Sequence, residues 1–277
     1  MSRQATLLAS PRREKFPRQV SHGSGAKVRR GIIGVLAFCV VLEIVSRSGI
    51  VSSTFLPPFS DVLVNSVTLF GREDFRLAVL ETLGAWALGL GVVIVVGGGL
   101  GALFGLSEIS YRLARTSVEL IRPIPSIALI PLLILIFGSG LPTVTIIAVF
   151  GALWPVLFNT ITGIHGVTPL AKEMARSFQI SPIGIIRRVV VPSAAPFIVT
   201  GIRISSSIVL ILVITVELIT GGGGMGEFLG AMQAAGGTAR IYVYATILLT
   251  GVLGLLLNVV MEALERRFFG WQRRQGI

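Results

Sequence analysis

The sequence predicts an all-α membrane protein with about six transmembrane helices. Three observations carry that expectation. Only 13% of the 277 residues are charged and 53% are hydrophobic, with a mean hydropathy of +0.86. A soluble domain carries roughly 25% charge, so this chain has too little polar surface to stay in water. The apolar residues also form separate runs of roughly bilayer length. Finally, the basic residues between those runs fall mostly on one side. The chain has 24 Lys and Arg against 13 Asp and Glu. In a soluble protein that excess suggests nucleic acid, but in a membrane protein it reports orientation.

Residues 1–30 hold eight Lys and Arg against the single Glu14, with Pro11, Pro17, Gly23 and Gly25. They read as a disordered, cytoplasmic basic tail, able to meet anionic lipid. Without interleaved aromatics they do not suggest nucleic-acid binding. GIIGVLAFCVVLEIVS (31–46) is short for a span and contains Glu43. The basic segment before it is too long for a signal peptide, and no small-residue cleavage site comes after it. Residues 31–50 are therefore taken as a first transmembrane helix, with Glu43 near its outer end. Residues 51–76 form an external connecting segment containing Leu56-Pro57-Pro58.

The core spans 77–262. The run 77–107 is glycine-rich and broken only by Glu81. Gly97, Gly101 and Gly105 recur every four residues, which lets a neighbouring helix pack closely. A charged patch occupies 108–122, and then 123–158 carries no charge. Phe137-Gly138-Ser139-Gly140-Leu141-Pro142 favours a turn and divides it into helices near 117–137 and 142–162. Residues 197–219 are apolar apart from Arg203 and Glu217. GGGGMG (221–226) formally fits a dinucleotide fingerprint, but it comes after a span rather than a strand, so it is taken as a flexible external turn. The run 241–261 is the cleanest span, and 263–277 is a cytoplasmic tail.

Six spans with the N-terminus inside place nineteen Lys and Arg on the cytoplasmic side and four outside, a strong positive-inside signal. Cys39 is the only cysteine, and His22 and His165 are far apart. No metal or cofactor site is expected, no catalytic set is present, and no phosphate-binding loop of the G-x-x-x-x-G-K type occurs. The chain is not expected to be an enzyme.

Segment 164–196 is too polar to span. Thr168-Pro169 and Ser181-Pro182 are each a helix-start signal, an N-cap with proline in the first turn. Pro192 and Pro196 bound the second of these helices. The segment reads as two short helices joined near Gln179-Ile180. A structured hairpin on the cytoplasmic side has little purpose unless something docks there.

KEMARSFQISPIGIIRRVVVPSAAPFIVTGIRI (172–204) resembles the EAA loop of binding-protein-dependent ABC importer permeases, and in particular the sulfonate/nitrate/taurine branch. Glu173, Met174 and Ala175 stand in the first three places, with Arg176-Ser177 next. Val191-Pro192, Ala195-Pro196 and Gly201-Ile202-Arg203 match the later part. RPIPSIALIPLLILIFGSG (122–140), WPVLFNTITGI (154–164) and Glu217 extend the likeness, which covers about 55–271. Two residues depart from the pattern. Met174 replaces an alanine, and Gln179 stands where the family has glycine, which costs roughly 1 kcal/mol if that position needs positive φ.

The resemblance implies a type I ABC importer permease fold, a homodimer, cytoplasmic ABC ATPase subunits and an extracytoplasmic solute-binding protein in a bacterial inner membrane. It implies a coupling segment of Lys172, Glu173, Met174, Ala175, Arg176, Ser177, Phe178, Gln179 and Ile180. Ala175 would let the ATPase backbone come close, Phe178 would anchor it, and Lys172, Glu173 and Arg176 would form a charged rim. Glu217, Asn159 and Ser126 are the candidate pathway or gate residues. The rival class, an ATP-independent channel or secondary transporter, explains the spans but not the hairpin.

Overall fold

The computed structural model describes residues 24–52 and 55–269. The basic tail before residue 24 and the last eight residues lie outside that range. Among the described residues there are eleven α-helices, joined in places by short 3-10 or π turns.

Helix α1 is Ser24–Arg47 and α2 is Phe59–Leu69. Four stretches are long and apolar enough to cross a membrane: α3 (Glu73–Leu106), α6 (Leu141–His165), Pro182–Thr220 and Gly237–Arg267. A fifth exists if α4 (Glu108–Ile121) and the 126–137 segment cross as one bent pair. The expectation of six is met by four or five on length and composition. The shortfall lies in α1. It is helical as expected, but Arg29 and Arg30 on one side and Glu43 and Arg47 on the other leave only 31–42 uncharged. Glu43 pairs with Arg47 at 2.6 Å and accepts from the Ser60 backbone N–H at 3.0 Å, tying the end of α1 to the start of α2.

The helix expected near 117–137 is not continuous. Pro123 and Pro125 lack the N–H groups a helix needs, and the chain bends by 77° between α4 and the next segment. That segment is a 3-10 turn at Ser126–Leu129 and then α5 (Ile130–Phe137). In contrast, Pro192 and Pro196 do not end a helix. Pro192 sits in the first turn of α9 (Val191–Thr220), where its missing N–H costs little. Pro196 is carried inside α9. A π turn at Ile186–Val190 joins α9 to the short α8 (Pro182–Ile185). The second hairpin helix is therefore the start of a span. The last helix, α11 (Arg240–Phe269), likewise runs beyond 262.

Helices α3, α6 and α9 form the centre. Their core holds Ala85, Val93, Ile147, Ala148, Val156, Val209 and Val213. The glycine row is what allows α3 and α6 to approach so closely. A Cβ on Gly101 would lie 2.6 Å from the Thr160 Cβ and 2.9 Å from the Leu157 carbonyl oxygen. On Gly105 it would meet Ile164 at 2.9 Å. Trp86 adds a polar tie, its indole N–H donating to the Ser206 carbonyl at 3.1 Å, and the Ser205 hydroxyl donates to the Ala152 carbonyl at 2.6 Å. A second core joins α2, α3, α11 and α10 (Gly224–Ala235) around Leu69, Phe75, Met225, Phe228 and Ala245. Both α2 and α10 lie in segments whose sequence reads as connections. The outward faces of the long helices are apolar and open, as at Leu80, Val95 and Leu255. Such faces suit hydrocarbon.

Candidate functional site

Two places stand out, at opposite ends of the bundle. The first is the hairpin. Helix α7 (Pro169–Ser177) starts at the expected proline, but the Thr168 side chain makes no capping hydrogen bond. Ser181 does, accepting from the Gly184 N–H at 3.2 Å. The hairpin is fixed to the spans by a small core of Ile164, Val167, Ala175, Ile185, Val190 and Ala194.

This core decides which way α7 faces. Ala175 is 5% exposed and turned inward, so it holds the hairpin to the bundle and offers nothing to an outside partner. Leu170, Glu173, Met174, Ser177 and Phe178 are exposed, at the three- and four-residue spacing of one helix face. Three of them are large apolar groups, with Phe178 77% exposed. Lys172 and Arg176 lie on a different side, lining a cavity with Gly105 and Leu106 of α3. The expected charged rim is therefore divided, with Glu173 on the outer stripe, and Lys172, half-buried, and Arg176, exposed, at the edge of that cavity.

The turn after α7 has the backbone that a glycine would favour, yet Gln179 occupies it. Its φ is +56°, the only positive value at a non-glycine position among the described residues. The Gln179 N–H donates to the Arg176 carbonyl at 2.8 Å and the Ile180 N–H to the Ala175 carbonyl at 3.1 Å. These are the two bonds of a Schellman helix end, in which this position is usually glycine. The geometry survives the substitution because both bonds form and Ile180 packs into the hairpin core. Gln179→Gly should therefore raise stability by about 1 kcal/mol. Thermal unfolding of the purified chain measures it, and an unchanged midpoint would mean the turn carries no strain.

The second place is the opposite end, where α9 stops and α10 begins. Gly221 ends α9 in the left-handed region, with φ of +63°. The glycine run beyond it is not the flexible turn its composition suggests, because it is held at almost every amide. The Gly223 N–H donates to Glu227. The Gly224 N–H donates to Glu81 Oε2 at 2.7 Å, the Met225 N–H to Thr82 Oγ1 at 2.8 Å, and the Gly226 N–H to Glu217 Oε2 at 3.1 Å. The Thr82 hydroxyl in turn donates to Glu217 Oε2 at 2.8 Å. A helix N-terminus leaves its first amides without partners and carries partial positive charge. Here two other helices, α3 and α9, supply the acceptors. Glu217 is 2% exposed, and with Glu81 it lines a cavity of about 340 Å³. Neither Glu81 nor Thr82 stands out in the sequence, because their partner amides are 143 residues away.

The other two candidate pathway residues are elsewhere. The Asn159 amide donates to the Pro155 carbonyl of its own helix at 2.8 Å. Ser126 packs on α6, its Oγ lying 2.9 Å from where a Cβ on Gly151 would be. The structure does not bring Glu217, Asn159 and Ser126 to one point. A groove between α9 and α11, about 400 Å³, is instead lined by Ser207, Thr215, Thr250 and Asn258 among apolar neighbours. The Thr250 hydroxyl is buried there and has no hydrogen-bond partner among the described residues. Arg203 pairs with Glu265 at 3.1 Å and so joins α9 to α11. Arg122 stacks over the Phe158 ring, 5.0 Å from its centroid.

Comparisons with known proteins agree with this architecture. The chain is 28% identical to the putative aliphatic sulfonates transport permease protein SsuC of Bacillus subtilis (strain 168), over 88% of this chain and 87% of that one. It is 30% identical to the taurine transport system permease protein TauC of Escherichia coli (strain K12), over 86% and 88%. Its fold is similar to that of the MetNI methionine ABC transporter in an inward facing conformation, with a TM-score of 0.60 at 21% identity, covering 70% of this chain and 95% of that one. Residues 93–270 match the family model of the binding-protein-dependent transport system inner membrane component. The chain belongs to that family, the non-catalytic permease components of ABC importers, which form the translocation path.

Proposed function

We propose that this permease carries a small polar or anionic solute of the sulfonate, nitrate or taurine kind into a bacterial cell, and that segment 172–180 couples it to a separate cytoplasmic ATPase. The observation that carries the coupling reading is the face of α7. Leu170, Met174 and Phe178 are exposed in a line with Glu173 and Ser177 between them, on a hairpin anchored from behind by its own core. A rigid helix with an apolar anchor and a polar rim suits a protein cleft. The solute class is supported by the names of similar chains, which include sulfonate and taurine transport permeases and nitrate import permeases. Selection of the solute is assigned to an extracytoplasmic binding protein.

In this reading α1 is the first of six spans and the bent α4–α5 pair is the third. Both termini are cytoplasmic, as is α7, while α2 and α10 face outside. The positive-inside count supports that orientation. Two copies form the path, each with one ATPase docked on α7, and lipid covers the remaining apolar faces. Glu217, Asn159 and Ser126 remain the candidate pathway or gate residues, Glu217 as part of the closure at the outer end.

The test is co-purification with a candidate ATPase together with ATP-dependent uptake. Glu173→Lys and Phe178→Asp change only exposed side chains, so the permease should still fold. Each should reduce ATPase capture at least tenfold, the weight of about 1.4 kcal/mol. Unchanged capture and uptake in both would overturn the coupling role.

A further inference from the structure

The inward side of α7 is unlike its outer stripe. Lys172, half-buried, and Arg176, itself exposed, lie one turn apart and both line an open cavity of about 580 Å³ bounded by the end of α3, the end of α6 and the α8–π segment. Leu106, Ile164, Ile180 and Ile186 form apolar walls, Gln179 adds a polar group, and no Asp or Glu is among the lining residues. Among the described residues neither cation has an ion pair. Like charges at this spacing on a helix repel. Facing one cavity, they repel across a space whose described lining holds no acid to neutralise them.

We infer that this cavity binds an oxyanion, a phosphate-like group held between Lys172 and Arg176. Arginine and lysine donors suit phosphate oxygens, and the volume is that of a small-ligand site. The walls add a second property. They are apolar on the side of the spans and cationic on the side of α7, which suits a group with a charged head and an apolar continuation. On the topology proposed above, the cavity opens at the level of the cytoplasmic headgroups. The same chemistry can come from an anionic phospholipid or from a soluble anion, and an occupant of either kind would brace α7 against α3. Of the proposed function only the orientation is borrowed. The observation that carries ATPase docking is the outer stripe of Leu170, Met174 and Phe178, which does not line this cavity.

The test uses the purified full-length permease in nanodiscs of phosphatidylcholine. One arm replaces part of the lipid with phosphatidylglycerol, and the other adds inorganic phosphate. Retained lipid is read by native mass spectrometry and the unfolding midpoint by a thermal scan. The midpoint should rise with phosphatidylglycerol if a lipid head is the occupant, or with phosphate if a soluble anion is. Lys172→Gln and Arg176→Gln should each weaken the response roughly fivefold, the worth of one cation near a charged surface. Their double variant should abolish it. The single variants decide the matter if the double one does not fold. Arg187→Gln with Arg188→Gln removes two exposed charges outside the cavity and should leave the response in place. Failure of the parent to respond to either anion would overturn the site. So would equal losses in the Arg187/Arg188 variant. Because the permease is tested alone, a failure of ATPase docking does not alter the result.

Discussion

Glu217→Ala should destabilise the permease by about 2–4 kcal/mol, and the loss should appear at the α9–α10 junction first. Glu217 Oε2 accepts from the Thr82 hydroxyl and the Gly226 amide, both in buried surroundings. Alanine removes the acceptor from both donors. Each orphaned donor costs roughly 1–3 kcal/mol. The loss also spreads, because Thr82 itself accepts from the Met225 amide, so a hydroxyl that turns away takes another bond with it. Glu217→Gln keeps an acceptor oxygen in place and should recover about half of the loss. Thermal unfolding of the three proteins checks the energies. Hydrogen exchange at Met225 and Gly226 checks the location. A Glu217→Ala protein as stable as its parent would mean that the carboxylate does not hold α10.

The second large effect concerns helix approach. At Gly226 a Cβ would lie 2.3 Å from the Ile214 carbonyl oxygen and 2.5 Å from the Leu218 amide nitrogen. Both are backbone atoms of α9 and cannot rotate away. At Gly101 the nearest atoms, at 2.6 and 2.9 Å, are the Thr160 Cβ and the Leu157 carbonyl oxygen of α6. Alanine at either position should cost about 1–3 kcal/mol through forced separation of the helices, with Gly226→Ala the worse. Gly98 sits in the same helix as Gly101 with nothing within 4 Å of its added Cβ. There alanine should be neutral or stabilising by about 0.5–1 kcal/mol, since it lowers the entropy lost on forming the helix. Thermal unfolding midpoints should therefore order, from highest to lowest, as Gly98→Ala, parent, Gly101→Ala, Gly226→Ala. A Gly98→Ala midpoint as low as that of Gly101→Ala would show that the cost is not one of helix contact.

The contrast between neighbouring glycines shows what the sequence can reveal. The four-residue spacing of Gly97, Gly101 and Gly105 marks one helix face, and that face does meet a helix, α6, within the same chain. The apolar runs locate the long helices because burial in hydrocarbon selects for composition, which is visible residue by residue. The Pro182 start and the turn at Gln179 are legible too, since local capping and backbone sterics act within a few positions. The features that escape are set by distance along the chain. Helix α10 is glycine-rich because it crowds against α9 and takes acceptors from α3, neither of which leaves a local trace. Pro192 and Pro196 mislead for a related reason. Proline rules concern the backbone bond it forfeits; here Pro192 falls in the first turn of α9, and α9 carries Pro196 without ending. Ala175 fits the family motif in either orientation, and only packing reveals that it faces inward.

The continuity of Pro182–Thr220 has a mechanical consequence. At about 1.5 Å per residue, those 39 residues make a rod of roughly 58 Å, about twice the thickness of the hydrocarbon it crosses. One end carries the core on which α7 rests, and the other ends beside Glu217 and its grip on α10. A rod pivoted at its middle moves its two ends in opposite directions, and a tilt of about 10° displaces each by about 5 Å. That exceeds the reach of every hydrogen bond at the far junction. If the segment tilts as one body, a force on α7 would reach α10 by leverage, without a relay of small side-chain shifts between them. The π turn and Pro196 both lie near the α7 end, and they are the kinds of feature at which helices bend, so a bend there would take up part of a push before it became tilt.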